Sequence, residues 1–460
     1  LSSIHDFTTW EPLLRVLRAG NAERLAAPGG HVAGRIGLGS WSVPMPPRFP
    51  APGRALQIED VQDEFDAVER VRSALADAGV EDVPFTAEIE PGGRTVLYLH
   101  GPSPAVETGI GGAHPGALVL VEDAVPEPWR RLPEPAPEAA ASPTADPAWL
   151  ERTLRERIPD AIGATEEEIA EAEERLGVVL PDELKALYRV TRARWEDWAD
   201  DYEAAKRVFG AVGCELLSLD DLYVADAASR PCPWEFAAIE AVVTAPDAAV
   251  QGVVGSPGWI AFGDNGGGDR IAVDLTPGPR GHRGQVVILS HEENVGAGLV
   301  ADSLTDMVAD RRPTHAGEQR TGEPEAVAWV NIGSLGSVAA AAHPGLEVLH
   351  IGVREGEPLS LAPVVGLPRL RALTAYPDTL ADPLEIAGLT GLEYLELGPE
   401  HWRVLLDAGA VPRGLLAAAI EVHGDRHPLP VVDLANEILA LWDRPPIPVT
   451  VLEGHLGPVG

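Results

Sequence analysis

The sequence predicts an α+β protein made of more than one domain. Three observations carry this. Helical and strand patterns mix over residues 1–125 and again over 150–312. A tract rich in Pro, Ala and Glu, residues 126–149, separates them. After residue 326, short leucine-centred segments return at a near-constant interval. A chain of 460 residues, 45% of them hydrophobic, holds material for roughly two to four domains. No apolar run reaches the ~18 residues of a membrane span. The opening LSSIHDFTTWEPLLRVLRAG has no basic start followed by an apolar block, so no signal peptide is expected. Cys214 and Cys232 are the only cysteines, which excludes a disulfide framework and a four-thiolate zinc site and points to the cytoplasm. The net charge is −36, and Lys185 and Lys206 are the only lysines. Binding to a nucleic-acid backbone needs a positive footprint, which this chain lacks; an acidic surface favours solubility and basic partners.

Each part has its own pattern. In 58–79, Val61, Phe65, Val68, Val71 and Leu75 recur at helical spacing, and Gly79 ends the run. FTAEIEPGGRTVLYLH (85–100) reads as a hairpin about Pro91-Gly92-Gly93, and ALVLVED (117–123) as a third strand. Residues 1–125 are thus an α+β domain with no assigned role. Residues 126–149 lack the apolar content for a core and are expected to be a semi-rigid, solvated linker. From 163, Thr165 and Glu168 form a capping box, Ile169, Ala172 and Leu176 follow, and Gly177 stops the helix. Leu180-Pro181-Asp182 opens a second helix with Leu184, Leu187 and Tyr188. A third helical stretch, 194–210, places Trp195, Trp198, Tyr202 and Ala205 on one face. Strands are expected in CELLSLDDLYV, WIAFGDN, DRIAVDL and GQVVILSH, with a closing helix over 301–311.

The region 326–445 repeats itself. GLEVLHI (345–351), RLRALTA (369–375) and GLEYLEL (391–397) align on Leu346, Leu370 and Leu392, and VAWVNIG (327–333) reads as a degenerate first strand. The interval lies in the leucine-rich-repeat range, so the region predicts a short leucine-rich-repeat-like solenoid. Such repeats bury their faces only by stacking and need caps. The neighbouring domain and the helix VVDLANEILALW (431–442) are the candidates.

The most distinctive stretch is IAFGDNGGGDRIAVDL (260–275). It is not a phosphate loop, because no lysine follows the glycines, and GxGxxG is absent. It is not an EF-hand, because Gly266 and Gly268 occupy ligand positions counted from Asp264. Alternation of Ile260 and Phe262, then Ile271, Val273 and Leu275, describes a wide hairpin. Gly266, Gly267 and Gly268 permit positive φ at its turn, and Asp264 and Asn265 can bond their own backbone. Asp274 is expected on the face opposite Val273. A metal held by Asp264, Asn265 and Asp269 is the alternative reading of the same acids.

Catalytic constellations are weak. His423 and His427 have i, i+4 spacing about Asp425, but Gly424 and Pro428 argue for a loop rather than a metal-binding helix. His100 and His114 frame a Gly/Pro-rich segment that reads as a surface loop. No GxSxG elbow occurs, and both cysteines read as structural thiols. No catalytic residue, cofactor site or metal site is assigned, and the chain is not expected to be an enzyme.

ATEEEIAEAEERLGVVLPDELKALY followed by WIAFGDNGGGDRIAVDL and the helix ADSLTDMVAD, in that order over 150–312, resembles the SUKH superfamily. That family includes fungal cell-wall assembly regulators of Smi/Knr type and bacterial immunity proteins. The resemblance implies a mostly antiparallel sheet packed by helices and a binding role. Its leading functional implication is an immunity protein that neutralises a toxin such as a basic nuclease. The alternative is a regulatory scaffold in cell-wall assembly or proliferation. The insert RWEDWADDYEAAKRVFG departs from the family's pattern by its length and acidity. Trp195, Asp197, Trp198, Asp200, Asp201, Trp259, Asp264, Asn265, Asp269 and Asp274 are the residues expected at the surface that meets a protein partner.

Overall fold

A computed structural model describes residues 3–47, 57, 61–107, 117–121, 123–198, 201–241, 244–315, 325–422 and 426–458. The chain divides into two compact units. One comprises Leu1–Ala124, Trp329–Ala342 and Leu349–Gly460; the other comprises Val125–Ala328 and His343–Val348. Leu1–Ala124 therefore shares one unit with most of the repeat region, while Ala326–Ala328 and His343–Val348 fall in the other.

The first unit opens with α1 (Phe7–Gly20), capped by the Asp6 carboxylate, and α2 (Ala22–Ala26). Strands β1 (Val32–Gly37) and β2 (Trp41–Ser42) follow. Then come α3 (Gln62–Ala78), β3 (Asp82–Ile89), β4 (Arg94–His100) and β5 (Leu118–Leu120). Helix α3 ends as the sequence predicts, with Gly79 at φ 67°. Its Val68, Val71 and Leu75 are buried, but Phe65 is exposed. The core under the sheet gathers Trp10, Leu13, Leu14, Leu17, Phe85 and Leu97.

The second unit begins inside the expected linker. Helix α4 (Glu127–Arg130) buries Trp129 against Ala237 and Val254. Gln251 accepts from the Glu134 amide at 2.7 Å and donates to its carbonyl at 2.8 Å. Arg283 N donates to the Ala140 carbonyl, and Asp146 N donates to Thr305 Oγ1 at 3.0 Å. The tract 126–149 is thus an ordered strap on this unit and not a solvated linker. It has few large apolar side chains beyond Trp129, but it satisfies its backbone on a neighbour.

Helices α5 (Pro147–Arg157), α6 (Glu166–Leu176) and α7 (Asp182–Tyr188) follow. The capping box is present in full, with Thr165 Oγ1 accepting from Glu168 N and Glu168 accepting from Thr165 N. The stretch read as one helix over 194–210 is two pieces: a 3-10 turn, Trp195–Trp198, and α8 (Tyr202–Val212) capped by Asp201. Short β6 (Glu215–Leu216), β7 (Tyr223–Val224) and α9 (Trp234–Ala237) lead to the central strands. These are β8 (Trp259–Asp264), β9 (Arg270–Asp274), β10 (Gln285–Leu289) and β11 (Gly298–Ala301), closed by α10 (Leu304–Val308). The sheet runs β11-β10-β9-β8-β6, with β7 also on β8, and every pairing in it is antiparallel. Ile260, Phe262 and Val273 face the helices; Trp259, Ala261, Ala272 and Val287 face a second apolar layer with Val250 and Val253. Both faces are covered, which is why the central strands are so apolar.

From Trp329 the chain passes largely into the first unit. Strands β12 (Val327–Val330), β13 (Val348–Ile351), β14 (Ala372–Ala375), β15 (Tyr394–Leu397) and β16 (Ala417–Ile420) lie side by side in sequence order. The interspersed helices are α11 (Val338–Ala341) and α12 (Pro399–Asp407). Ala372 pairs with Tyr394 and Tyr394 with Ala417, both in parallel, so each repeat advances the ladder by one strand. Leu346, Leu370 and Leu392 are all buried. The ladder's last strand is β5, antiparallel to β16, so the element read as a third strand of the N-terminal part completes this sheet instead. Helix α13 (Pro428–Leu441) packs nearby, and β17 (Val449–His455) pairs antiparallel with β4 along its whole length. The N-terminal sheet therefore runs β17-β4-β3-β1-β2. Gly454 lies against the Phe7 ring, where a Cβ would clash unless the ring moved.

Candidate functional site

The glycine-rich turn joins β8 to β9. Gly266 (φ 82°) and Gly268 (φ 101°) take the left-handed backbone that the turn demands, while Gly267 does not. Asp264 Oδ1 accepts from Gly266 N at 2.6 Å, and Asn265 Oδ1 accepts from Gly267 N at 2.7 Å. Asn265 Nδ2 donates to Asp269 Oδ2 at 2.6 Å. Asp264 also pairs with Arg270. Asp269 Oδ1 accepts from both the amide and the Nδ1 of His291, at 3.0 and 2.7 Å, and these bonds hold its carboxyl below the usual range. The acids of this turn are therefore occupied in building it. Among the described residues no group of three or more His, Cys, Asp and Glu is placed to hold a metal ion; Asp264, Asn265 and Asp269, read alternatively as metal ligands, bond the turn amides, Arg270 and His291.

Beside the turn lies a cleft of about 300 Å³. Tyr223, Ser229, Arg230, Arg270, His291 and Asn294 are among its lining residues. Arg230 Nη2 donates to the carbonyls of Ser290 (3.0 Å) and Glu293 (2.7 Å). Sequence reading missed Arg230, Arg270 and His291. It followed the acids, and the one available signal was the basic residue directly after Asp269.

The other expected contact residues scatter. Trp259 is fully buried between β8 and the second apolar layer. Asp274, also fully buried, accepts from Gln285 Nε2 at 2.9 Å and from Thr276 N at 2.8 Å. Burial pushes its carboxyl up to about 6. Neither can meet a partner, because the face opposite Val273 is covered and not solvated. Asp197 is tied to Arg192 at 2.7 Å, which holds its carboxyl low. Arg192 and Arg194 also share Glu168, so these acids brace the entrance to the insert. Trp198 packs edge-on between Trp195 (5.7 Å) and Phe209 (5.8 Å). Trp195 and Tyr202 keep 46% and 57% of their surface exposed, and Asp201 is exposed as well. Asp200 lies outside the described residues, as do His114, His423, Gly424 and Asp425. His427 is the N-cap of α13 rather than a member of an i, i+4 helical pair. The Cys214 thiol is pushed up to about 12, chiefly by burial, and stays protonated at neutral pH.

Residues 163–310 match the model of the SMI1 / KNR4 family (SUKH-1). This segment is SUKH-1-like. A glucan synthesis regulatory protein of Neurospora crassa is 30% identical over 105 residues, 21% of this chain and 19% of that protein. The cell wall biosynthesis/cell cycle regulator smi1 of Schizosaccharomyces pombe is 41% identical over 64 residues, 14% of this chain and 12% of its own. A KNR4/SMI1 homolog of Yarrowia lipolytica is 47% identical over 47 residues, 10% and 7% of the two chains. The chain thus spans at most about a fifth of the length of these relatives. The SUKH-1-like domain accounts for the helix pair, the hairpin and the closing helix, and leaves the repeat ladder and the N-terminal sheet outside it. No helix of the described residues is long and apolar enough to cross a membrane.

Proposed function

We propose that this chain is a regulatory binding protein, a scaffold that acts by protein–protein contact and not by catalysis. The observation that carries the reading is the SUKH-1 match together with relatives named as regulators of glucan synthesis and cell-wall biosynthesis. The geometry supports it. The turn acids are consumed internally, while an aromatic pair, Trp195 and Tyr202, remains exposed next to Asp201 on the insert. Exposed aromatics ringed by charge are what a contact hot spot requires. The repeat region, read as a leucine-rich-repeat-like solenoid, supplies the scaffold's second surface.

Toxin neutralisation in the manner of an immunity protein is the second reading. It is favoured by the net charge of −36, which would steer a basic partner inward. The test is quantitative affinity capture with the full chain and with a Trp195→Ala/Tyr202→Ala variant. On the scaffold reading, the variant loses signalling or envelope-synthesis proteins about tenfold, with an unchanged melting temperature. Recovery of one basic nuclease, released by salt, supports the immunity reading. Equal capture by both proteins removes the insert as the contact surface.

A further inference from the structure

Three histidines from distant parts of the chain meet in the first unit. His31, just ahead of β1, is buried, and its Nδ1–H donates to the Gly29 carbonyl at 3.2 Å. His100, at the end of β4, is fully buried; its Nε2 lies 3.2 Å from Thr86 Oγ1, and its Nδ1 has no partner among the described residues. His427 stands against the His31 ring, with centroids 4.4 Å apart, and within electrostatic reach of His100.

The partners of His427 fix its tautomer. Leu429 N donates to Nδ1 at 3.3 Å, capping α13, so Nδ1 carries no proton. Nε2–H then donates to Glu88 Oε1 on β3 at 3.0 Å. The surrounding titratable groups are few. Glu88 favours a charged His427; His31 and burial oppose it, and burial is the larger effect. Tyr98 on β4 stands edge-on at 6.5 Å, and Glu453 on β17 acts on Tyr98. Arg426 is taken up by Glu400 of α12 at 2.6 Å. A proton added to Nδ1 of His427 removes the acceptor that caps α13. It also places a cation against two further imidazoles.

We propose that these three rings form a proton-sensitive clasp. With His100 and His427 neutral, the clasp fixes the start of α13, and with it the repeat ladder, to the N-terminal sheet. Protonation of His427 and His100 releases it. The sign follows from linkage. A buried His100 held down to about 4 binds protons less readily folded than open. The closed form is therefore favoured above the ordinary histidine value and is lost as pH falls from about 6.5 toward 4. Between pH 7 and 5, His100 alone raises the open fraction about twentyfold, and His427 adds to this.

The test is hydrogen exchange of the full chain at pH 7 and pH 5, corrected for intrinsic rates and read on the amides of α13. A rise in opening of tenfold or more is expected. His427→Asn keeps a capping oxygen without a titrating ring, so it should lower the ratio several-fold. Ring-proton titration of the wild-type histidines by NMR provides an independent measurement that does not depend on a variant folding. Equal opening at both pH values overturns the clasp, as does ordinary titration of both His100 and His427 near 6.5. A wild-type ratio in His427→Asn removes His427 from it.

Discussion

Asp274 carries an unusual burden for one residue. It is fully buried, its two oxygens are occupied by Gln285, Thr276 N and the Thr276 hydroxyl, and burial still lifts its carboxyl to about 6. An acid raised in the folded state binds its proton more tightly there than when unfolded. Its contribution to stability is fully present below about pH 4 and is lost as pH rises through 6. The loss amounts to about 3 kcal/mol by neutral pH. Asp274→Asn should therefore flatten the stability of the SUKH-1-like domain between pH 4 and 7. Urea midpoints of both proteins across that range check this, and parallel pH profiles would sink it. The residue's identity was legible in the sequence, but its environment was not. Alternation placed Asp274 opposite Val273 correctly, yet nothing local says that Val250 and Val253 cover that side. The same limit applies to Asp197, Asp264 and Asp269. Their charges read as free because their partners, Arg192, Arg270 and His291, are brought to them only by the fold.

Elements whose causes are local were legible. The capping box on α6 and the left-handed Gly177 after it both rest on residues within a few positions of each other. Thr165→Ala removes the hydroxyl that accepts from Glu168 N at 3.2 Å and should cost about 1 kcal/mol. The glycine-rich turn is similar. A Cβ at Gly268 meets His291 at an ordinary 3.5 Å, so the penalty for Gly268→Ala comes from φ 101° alone and should be roughly 1–2 kcal/mol. Denaturation curves of the two variants test both, and a Gly268→Ala protein as stable as the parent would show that the turn relaxes into another form. The insert was misread because Trp195, Trp198, Tyr202 and Ala205 fit a helical stripe. The competing signal was Asp201, whose side chain accepts from Glu203 N at 2.9 Å and starts a new helix there. Strands β1, β11 and β16 were not foreseen, since four to six residues with a glycine or a run of alanines carry little strand signal.

At the scale of the whole molecule, sequence reading failed where pairing is remote. The SUKH-1-like domain is continuous in the chain, and its order of helices, hairpin and closing helix could be read directly. The first unit is not continuous. Its two sheets exchange strands, with β5 leaving the N-terminal part for the repeat ladder and β17 returning from beyond the ladder to β4. No local pattern encodes a partner more than 300 residues away in the chain. Deleting 446–460 should bare one edge of β4, remove Leu456 from the core and loosen the N-terminal sheet. Protection of the SUKH-1-like strands should persist. Hydrogen exchange resolved by segment measures both, and uniform loss of protection would mean that the units do not unfold independently. The pairing of β17 with β4 also sets a clock on biosynthesis. The ribosome delivers β4 well before β17, which follows every other strand described here. Throughout translation of the intervening repeats and SUKH-1-like domain, β4 therefore waits with an open edge. A nascent chain in that interval is exposed to chaperone capture or strand exchange with a neighbour. Completion of the last strand is then the event that commits the first unit to its native pairing.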